Sequence, residues 1–292
     1  MLIRKGDTGE EVRQIQQELD IEADGVFGPI TESAVMRFQV EEHLDVDGIV
    51  GPKTWAALFG LTTDIQESLD SQHGIVINHH ILPKGQYLKG PTKKEWLFLH
   101  HTAGWHNPYR TIDHWGRDSR GRIATEFVLG GPSIFNDDFK YDGEIVKCIP
   151  DGGYAWHLGR NGFQEMHTNS VGIEVCNFGY LKNGKTYAGH TVHEDHRVEL
   201  SKEFKGYKNW HRYSDAQIES LRKLILFIAD RDNIDVREGL PALIKEKGAD
   251  AFEWNEKAYY GQVKGLLSHS NTNKGKSDMF PQEELLTMLT EL

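Results

Sequence analysis

The sequence predicts an α/β (α+β) protein, a mixed central sheet flanked by helices and preceded by a small three-helix module. Three patterns carry this expectation. The first sixty residues contain an internal repeat: Asp24-Gly25-Val26-Phe27-Gly28-Pro29-Ile30-Thr31 returns as Asp47-Gly48-Ile49-Val50-Gly51-Pro52-Lys53-Thr54. Further on, apolar runs of strand length alternate with polar stretches. Near the C-terminal third, a long helix shows a clear apolar stripe.

Each repeat reads as a tight turn followed by a helix start, because Gly supplies unusual backbone angles and Pro suits a first helical turn. Thr8 with Glu11 forms a capping-box pattern ahead of Val12, Ile15 and Leu19. The second helix carries Val35 and Phe38, the third Trp55 and Leu58. Residues 1–60 thus form one unit, residues 61–75 a polar, acidic linker, and residues 76–292 a second, larger domain. In that domain Trp96-Leu97-Phe98-Leu99, Ile123 to Leu129 and Glu144 to Ile149 read as buried strands. Val171 to Cys176 alternates, with Val171, Ile173 and Val175 on one face and Gly172, Glu174 and Cys176 on the other. Ser214 with Gln217 opens a helix over 214–230 striped by Ile218, Leu221, Ile225 and Ile228. Lys264 to Ser268 reads as a last strand, and Pro281 opens a closing helix with Leu285, Leu286 and Leu289. The polar stretch 182–212 reads as an excursion over the surface.

Composition excludes several classes. The chain has 292 residues, 38% apolar and 26% charged, as in a globular protein. No run approaches the roughly 20 apolar residues of a membrane span, so no stable membrane insertion is expected. The start, MLIRKGDTGEEVRQ, has no apolar signal core, so no secretory signal is expected. A net charge of −11 argues against nucleic acid as a partner, since phosphate binding needs clustered Lys and Arg. Two cysteines, Cys148 and Cys176, exclude a disulfide framework.

Three segments could carry chemistry. Leu99-His100-His101-Thr102 ends an apolar strand in two histidines, Ser268-His269-Ser270 stands at another strand end, and Lys276-Ser277-Asp278 follows after a loop. Two imidazoles and one carboxylate leave a fourth tetrahedral position for water, the pattern of a catalytic zinc. Spacing alone leaves a surface or hydrogen-bonded role open for each histidine. Glu174 is the next candidate, because a carboxylate within an apolar strand is costly unless it is solvated, paired or used.

Two resemblances bear on these residues. KGDTGEEVRQIQQEL followed by two DGxxGPxT turns resembles the peptidoglycan-binding module of bacterial and phage wall hydrolases, over nearly all of residues 2–60. It implies a wall anchor without catalysis of its own. With 5 Lys/Arg against 12 Asp/Glu, a balance of −7, bulk attraction to an anionic wall cannot explain binding there. The strings FLHHTAG, YAWHLG, NSVGIEV and SHSNTNKGKSD, in that order over roughly residues 95–282, resemble the zinc-dependent N-acetylmuramoyl-L-alanine amidases, whose fold is shared with phage amidase endolysins and peptidoglycan recognition proteins. The resemblance implies one zinc held by His100, His269 and Asp278, with His101 on the opposite face of its strand. It implies Glu174 as the base that activates water and Lys276 as the group that holds the developing oxyanion. His157, in Ala155-Trp156-His157-Leu158-Gly159, would contact substrate in the cleft. Where other members place a Tyr on an earlier strand, this chain has Thr125, and Glu126 should face away from it. Many members place Pro directly after the last ligand, whereas here Met279 and Phe280 intervene before Pro281, which puts the geometry of that loop at issue.

The expected activity is hydrolysis of the amide between N-acetylmuramic acid and L-alanine in bacterial peptidoglycan, by a monomeric phage endolysin held in the host cytoplasm until release. The alternatives are a non-catalytic peptidoglycan recognition protein and a bacterial autolysin with the same chemistry. Among the remaining histidines, His190, His193 and His196 read as a solvated loop, His79 and His80 as an interdomain segment, and His114 as structural.

Overall fold

The computed structural model describes residues 3–42, 44, 46–59, 73–90, 93–135, 138–159 and 164–292. Most of the expected linker, 61–75, lies outside the described residues. In the N-terminal unit the helices are α1 (Glu10–Glu18), α2 (Pro29–Glu41) and α3 (Pro52–Phe59). Pro29 and Pro52 sit at helix starts, as the repeat requires. The Thr8/Glu11 capping box does not form. Gly9 is the N-cap, with no side-chain cap, because Thr8 is drawn into a bridge with Val26.

The repeat has a polar counterpart that sequence patterning misses. Gln16 Nε2 donates to Asp24 Oδ1 (2.7 Å), Val26 O (3.0 Å) and Thr31 Oγ1 (3.0 Å), while Gln16 Oε1 accepts from Gly25 N (2.8 Å). Gln39 makes the same set with Asp47, Ile49, Thr54 and Gly48. Each glutamine is almost fully buried and reads one turn, whose glycine (Gly25 at φ 78°, Gly48 at φ 70°) adopts the left-handed conformation. The signal was available: each Gln stands eight residues before the Asp of its repeat.

The larger domain follows the order β1 (Ile77–His79), β2 (Leu88–Lys89), β3 (Trp96–His101), α4 (Pro108–Gly116), β4 (Phe127–Leu129), β5 (Ile145–Lys147), β6 (Gly153–Tyr154), α5 (Gln164–Thr168), β7 (Ser170–Val175), β8 (Arg197–Phe204), β9 (Tyr207–His211), α6 (Asp215–Asp232), α7 (Leu240–Lys247), α8 (Glu256–Tyr259), β10 (Gly265–Ser268), α9 (His269–Thr272) and α10 (Glu283–Thr290). Six strands form one sheet in the order β1-β5-β4-β7-β3-β10, parallel except where β4 meets β5. The strand expected at 123–129 is shorter, although Glu126 N still donates to Gly172 O and Glu126 O accepts from Cys148 N, and His79 belongs to edge strand β1 rather than to an interdomain segment.

The two faces of the sheet have different cores. Leu97, Leu99, Phe127, Leu129, Ile173 and Val175 pack against α6, α7 and α10. The Ser214–Gln217 capping box of α6 forms as expected, with Gln217 also donating to Gly130 O and Cys176 O. On the other face, Val128, Val146, Cys148 and Cys176 join Ile112 of α4 and the apolar residues of the N-terminal unit in one cluster. The contact between the two units has polar anchors: buried Gln14 donates to Ile81 O (2.8 Å) and Tyr87 OH to Glu18 Oε1 (2.8 Å). Both cysteines are free and buried. Glu126 is structural, paired with Arg231 Nη1 (2.6 Å) and near Lys147 Nζ (3.7 Å). The 182–212 stretch is an ordered excursion: β8 and β9 form a hairpin, and Val192 and Trp210 are fully buried. No helix among the described residues is long and apolar enough to cross a membrane.

Candidate metal centre and active site

Strand register determines which histidine reaches the site. In the parallel pairs, His100 stands opposite Glu174, Phe98 opposite both Gly172 and Leu267, and side chains at paired positions share a face. His100, Glu174 and, one step beyond β10, His269 therefore lie on one side at the C-terminal ends of their strands. His101 lies on the other side, where its Nδ1 is 2.9 Å from Tyr213 OH and its ring meets Phe280.

His100, His269 and Asp278 converge, all buried, and form a group able to hold a metal ion. His100 Nδ1 is 3.0 Å from His269 Nδ1, and Asp278 Oδ2 is 2.9 Å from His269 Nδ1 and 3.4 Å from His100 Nδ1. These separations fit a metal: the donors around a tetrahedral zinc with bonds of about 2.0–2.1 Å stand roughly 3.3 Å apart. Two imidazole nitrogens facing each other can share only one proton, whereas a cation satisfies both lone pairs and the carboxylate at once. Burial and the neighbouring His269 hold His100 down at a pKa of about 4, which keeps its ring neutral and its lone pair available. Buried His269 Nε2 has no hydrogen-bond partner, so what its Nδ1 faces sets its tautomer.

A chain of hydrogen bonds behind the cluster orients His100. His100 Nε2 is 2.9 Å from His157 Nδ1, His157 Nε2 is 2.7 Å from Ser170 Oγ, and Ser170 donates to Met166 O. If every donor points along this chain, His100 carries its proton on Nε2 and presents Nδ1 to Asp278 and His269. His157, expected at the substrate, thus has His100 as its neighbour; the residue as a whole is half-buried. Gly172 makes room for it, since a Cβ there would lie 3.1 Å from His157 Nδ1 and 2.8 Å from Thr125 Cγ2.

The two extra residues before Pro281 anchor the Asp278 loop. Met279 N donates to Ser268 Oγ (2.8 Å), and Asp278 O accepts from Ser268 Oγ (2.9 Å) and Ser270 N (3.0 Å). Phe280 stacks on Tyr213 at 4.4 Å and on Trp210 at 4.5 Å.

Glu174 borders a pocket of roughly 390 Å³ whose walls include Thr102, Trp105, Arg110, His114 and Tyr187. His114 is therefore an exposed cleft residue rather than a structural one. Burial, with Asp278 adding repulsion, pushes the Glu174 carboxyl up to about 8, and Lys276 opposes that rise. Lys276 is exposed on the loop before Asp278, close enough to act on Glu174 and His100 through its charge. His190, His193 and His196 do not form a metal group among the described residues.

The buried histidines should also make the metal-free protein less stable in acid. Burial lowers His101 to about 4 and His211 to about 3, against an ordinary value of 6.5. Below pH 6.5 the unfolded chain binds protons that the fold refuses, so stability falls by about 1.4 kcal/mol per pH unit for each such histidine, down to about pH 4. Glu174 acts in the opposite sense, since its raised pKa lowers stability as pH rises from about 4.5 to about 8. Two histidines outweigh one carboxylate, so urea midpoints should fall between pH 6.5 and 5. A flat profile would show that these rings can be protonated in the folded protein.

A buried two-histidine, one-carboxylate cluster able to hold a metal, at the C-terminal edge of a mostly parallel sheet with a carboxylate of raised pKa beside it, is an arrangement that metal-site hydrolases use. The chain belongs to the N-acetylmuramoyl-L-alanine amidase family, which matches residues 90–278. Residues 8–58 match the putative peptidoglycan binding domain. A peptidoglycan-binding protein from Clostridioides difficile, solved with glutamine hydroxamate, is 41% identical over 20% of this chain, with a TM-score of 0.20; the match spans 40% of that protein. An endolysin N-acetylmuramoyl-L-alanine amidase, LysCS from Clostridium intestinale, is 14% identical over 73% of this chain and 95% of its own, with a TM-score of 0.38. PlyL is 11% identical over 70% of this chain and 86% of its own, with a TM-score of 0.39. No curated protein matches the chain.

Proposed function

We propose that the protein is a zinc-dependent peptidoglycan amidase of the phage endolysin kind, cleaving the bond between the lactyl group of N-acetylmuramic acid and L-alanine of the stem peptide. The observation that carries this reading is the convergence of His100, His269 and Asp278 beside Glu174 at an open cleft, in a chain of the amidase family. Zinc held by those three residues would polarise the scissile carbonyl and lower the pKa of a water molecule. Glu174 removes the proton of the attacking water and hands it to the leaving amine of L-alanine. Its position inside an apolar strand end keeps it a strong enough base near neutral pH. Lys276 supplies positive charge to the developing oxyanion. His157 fixes the ring of His100 and is proposed to contact the substrate. Residues 1–60 act as the wall anchor, positioned against the catalytic domain by Gln14 and Tyr87.

Purified peptidoglycan digested with the protein should gain new N-terminal L-alanine and no new reducing sugar ends. New reducing ends would indicate a glycosidase and refute the assigned bond. No new ends of either kind, with binding retained, would favour a pure recognition protein.

A further inference from the structure

Beside the cleft, four aromatic rings form a face that the proposed chemistry leaves unused. Trp105, Phe135 and His190 make a triangle with ring centroids 5.3, 5.4 and 4.9 Å apart. Trp105 is 38% exposed, Phe135 60% and Tyr187 66%. Large rings grouped on a surface are costly to leave in water, and such patches mark binding sites. The face is held from below. Phe178, nearly fully buried, meets Trp105 edge-on at 5.1 Å and packs with Ile134, Leu181 and Val192 in a small core of its own. Phe178 N donates to His211 Nδ1 (3.1 Å), and Asn177 Nδ2 donates to His211 O (2.8 Å), which ties this core to β9. The polar stretch 182–192 is folded back by bridges between Lys182 and Lys185 and between Lys185 and Thr191. That fold presents Tyr187 and His190.

We propose that this face is a saccharide subsite that holds the glycan strand next to the muramic acid being cut. The assignment rests on the amidase reading and extends it. Two of the rings, Trp105 and Tyr187, line the same pocket as Glu174, so whatever lies on the face is continuous with the reacting bond. The same pocket takes its guanidinium from Arg110 of α4, which has no ion-pair partner among the described residues. A stem peptide carries carboxylates and suits the Arg110 part of the cleft. The N-acetylated hexosamine strand is largely uncharged and presents flat C–H faces, which suit aromatic rings. Peptide and glycan leave the muramic acid in different directions, and the cleft offers each a matching chemistry.

The test uses chitotetraose, a peptide-free N-acetylglucosamine oligomer, titrated into the full-length protein while tryptophan fluorescence is followed. The double variant Phe135→Ala/Tyr187→Ala keeps the N-terminal unit intact, so the difference from wild type isolates this face. Wild type should bind with a fluorescence change, the double variant about tenfold more weakly, and Tyr187→Trp about as well as wild type. On substrates, the double variant should raise KM on intact glycan strands by a larger factor than on a monosaccharide muramyl peptide, and an equal loss on both substrates would overturn the subsite. Both substituted positions are exposed, and an unchanged melting curve would confirm the fold. Equal binding of chitotetraose by wild type and double variant, or none by wild type, would overturn the subsite. If chitotetraose binds through this face but the muramyl peptide is not cleaved, the subsite stands and the amidase reading fails.

Discussion

Glu174→Gln is expected to keep its fold and its bound zinc while turnover falls by about 10²–10⁴-fold, the usual cost of losing a general base. The amide keeps the shape and removes the proton acceptor. Glu174 contributes no atom to the His100–His269–Asp278 group, so metal content should not change. Removing a carboxyl held near pKa 8 by burial also removes an unfavourable buried charge, so the variant should be no less stable than wild type near pH 8. The wild-type rate should rise with pH as Glu174 loses its proton, and bound zinc, a positive charge nearby, should move that rise below pH 8. Zinc content and rate, measured together on purified Glu174→Gln, decide the matter. Full activity would reduce Glu174 to a strand carboxylate. A rate loss with zinc retained separates a catalyst from a recognition protein of the same fold.

His100→Ala and His269→Ala should each lose zinc, by more than the 10–100-fold that follows loss of an outer-shell partner, and with it essentially all activity. His101→Ala should keep most of its zinc. Its cost falls on stability, because Tyr213 OH loses its partner in a buried place, worth about 1–3 kcal/mol. Two adjacent histidines thus have opposite expected phenotypes, one in metal affinity and one in melting temperature. The contrast tests the strand register directly: a slip of one residue would exchange the two results.

The alternation along β7 and the apolar run of β3 made both strands legible, and with them the face that carries His100 and Glu174. The α6 capping box was legible for the same reason, since Ser214 and Gln217 are three residues apart and answer to local geometry. Local rules failed where a distant partner competed. Thr8 reads as a cap and is taken by Val26, eighteen residues away. His79 reads as linker and is claimed by β5, whose Lys147 it faces across the sheet edge. The polar letters of 182–212 hide a hairpin because its buried residues, Val192 and Trp210, are few and widely spaced. The His100–His157–Ser170 chain joins three segments separated by 57 and 13 positions, and no spacing rule spans them. The Met279-Phe280 departure looked like a weakness in the Asp278 loop. Instead, Phe280 fastens the loop to Tyr213 and Trp210.

The central claim is that His100, His269 and Asp278 hold one catalytic zinc. X-ray absorption at the zinc edge on the loaded full-length protein measures its donors directly. The account predicts one zinc per chain with two imidazole nitrogens and light oxygen donors at about 2.0–2.2 Å, and loss of that spectrum in His269→Ala. A spectrum with three or more imidazoles, or one unchanged in His269→Ala, would place the metal elsewhere and contradict it.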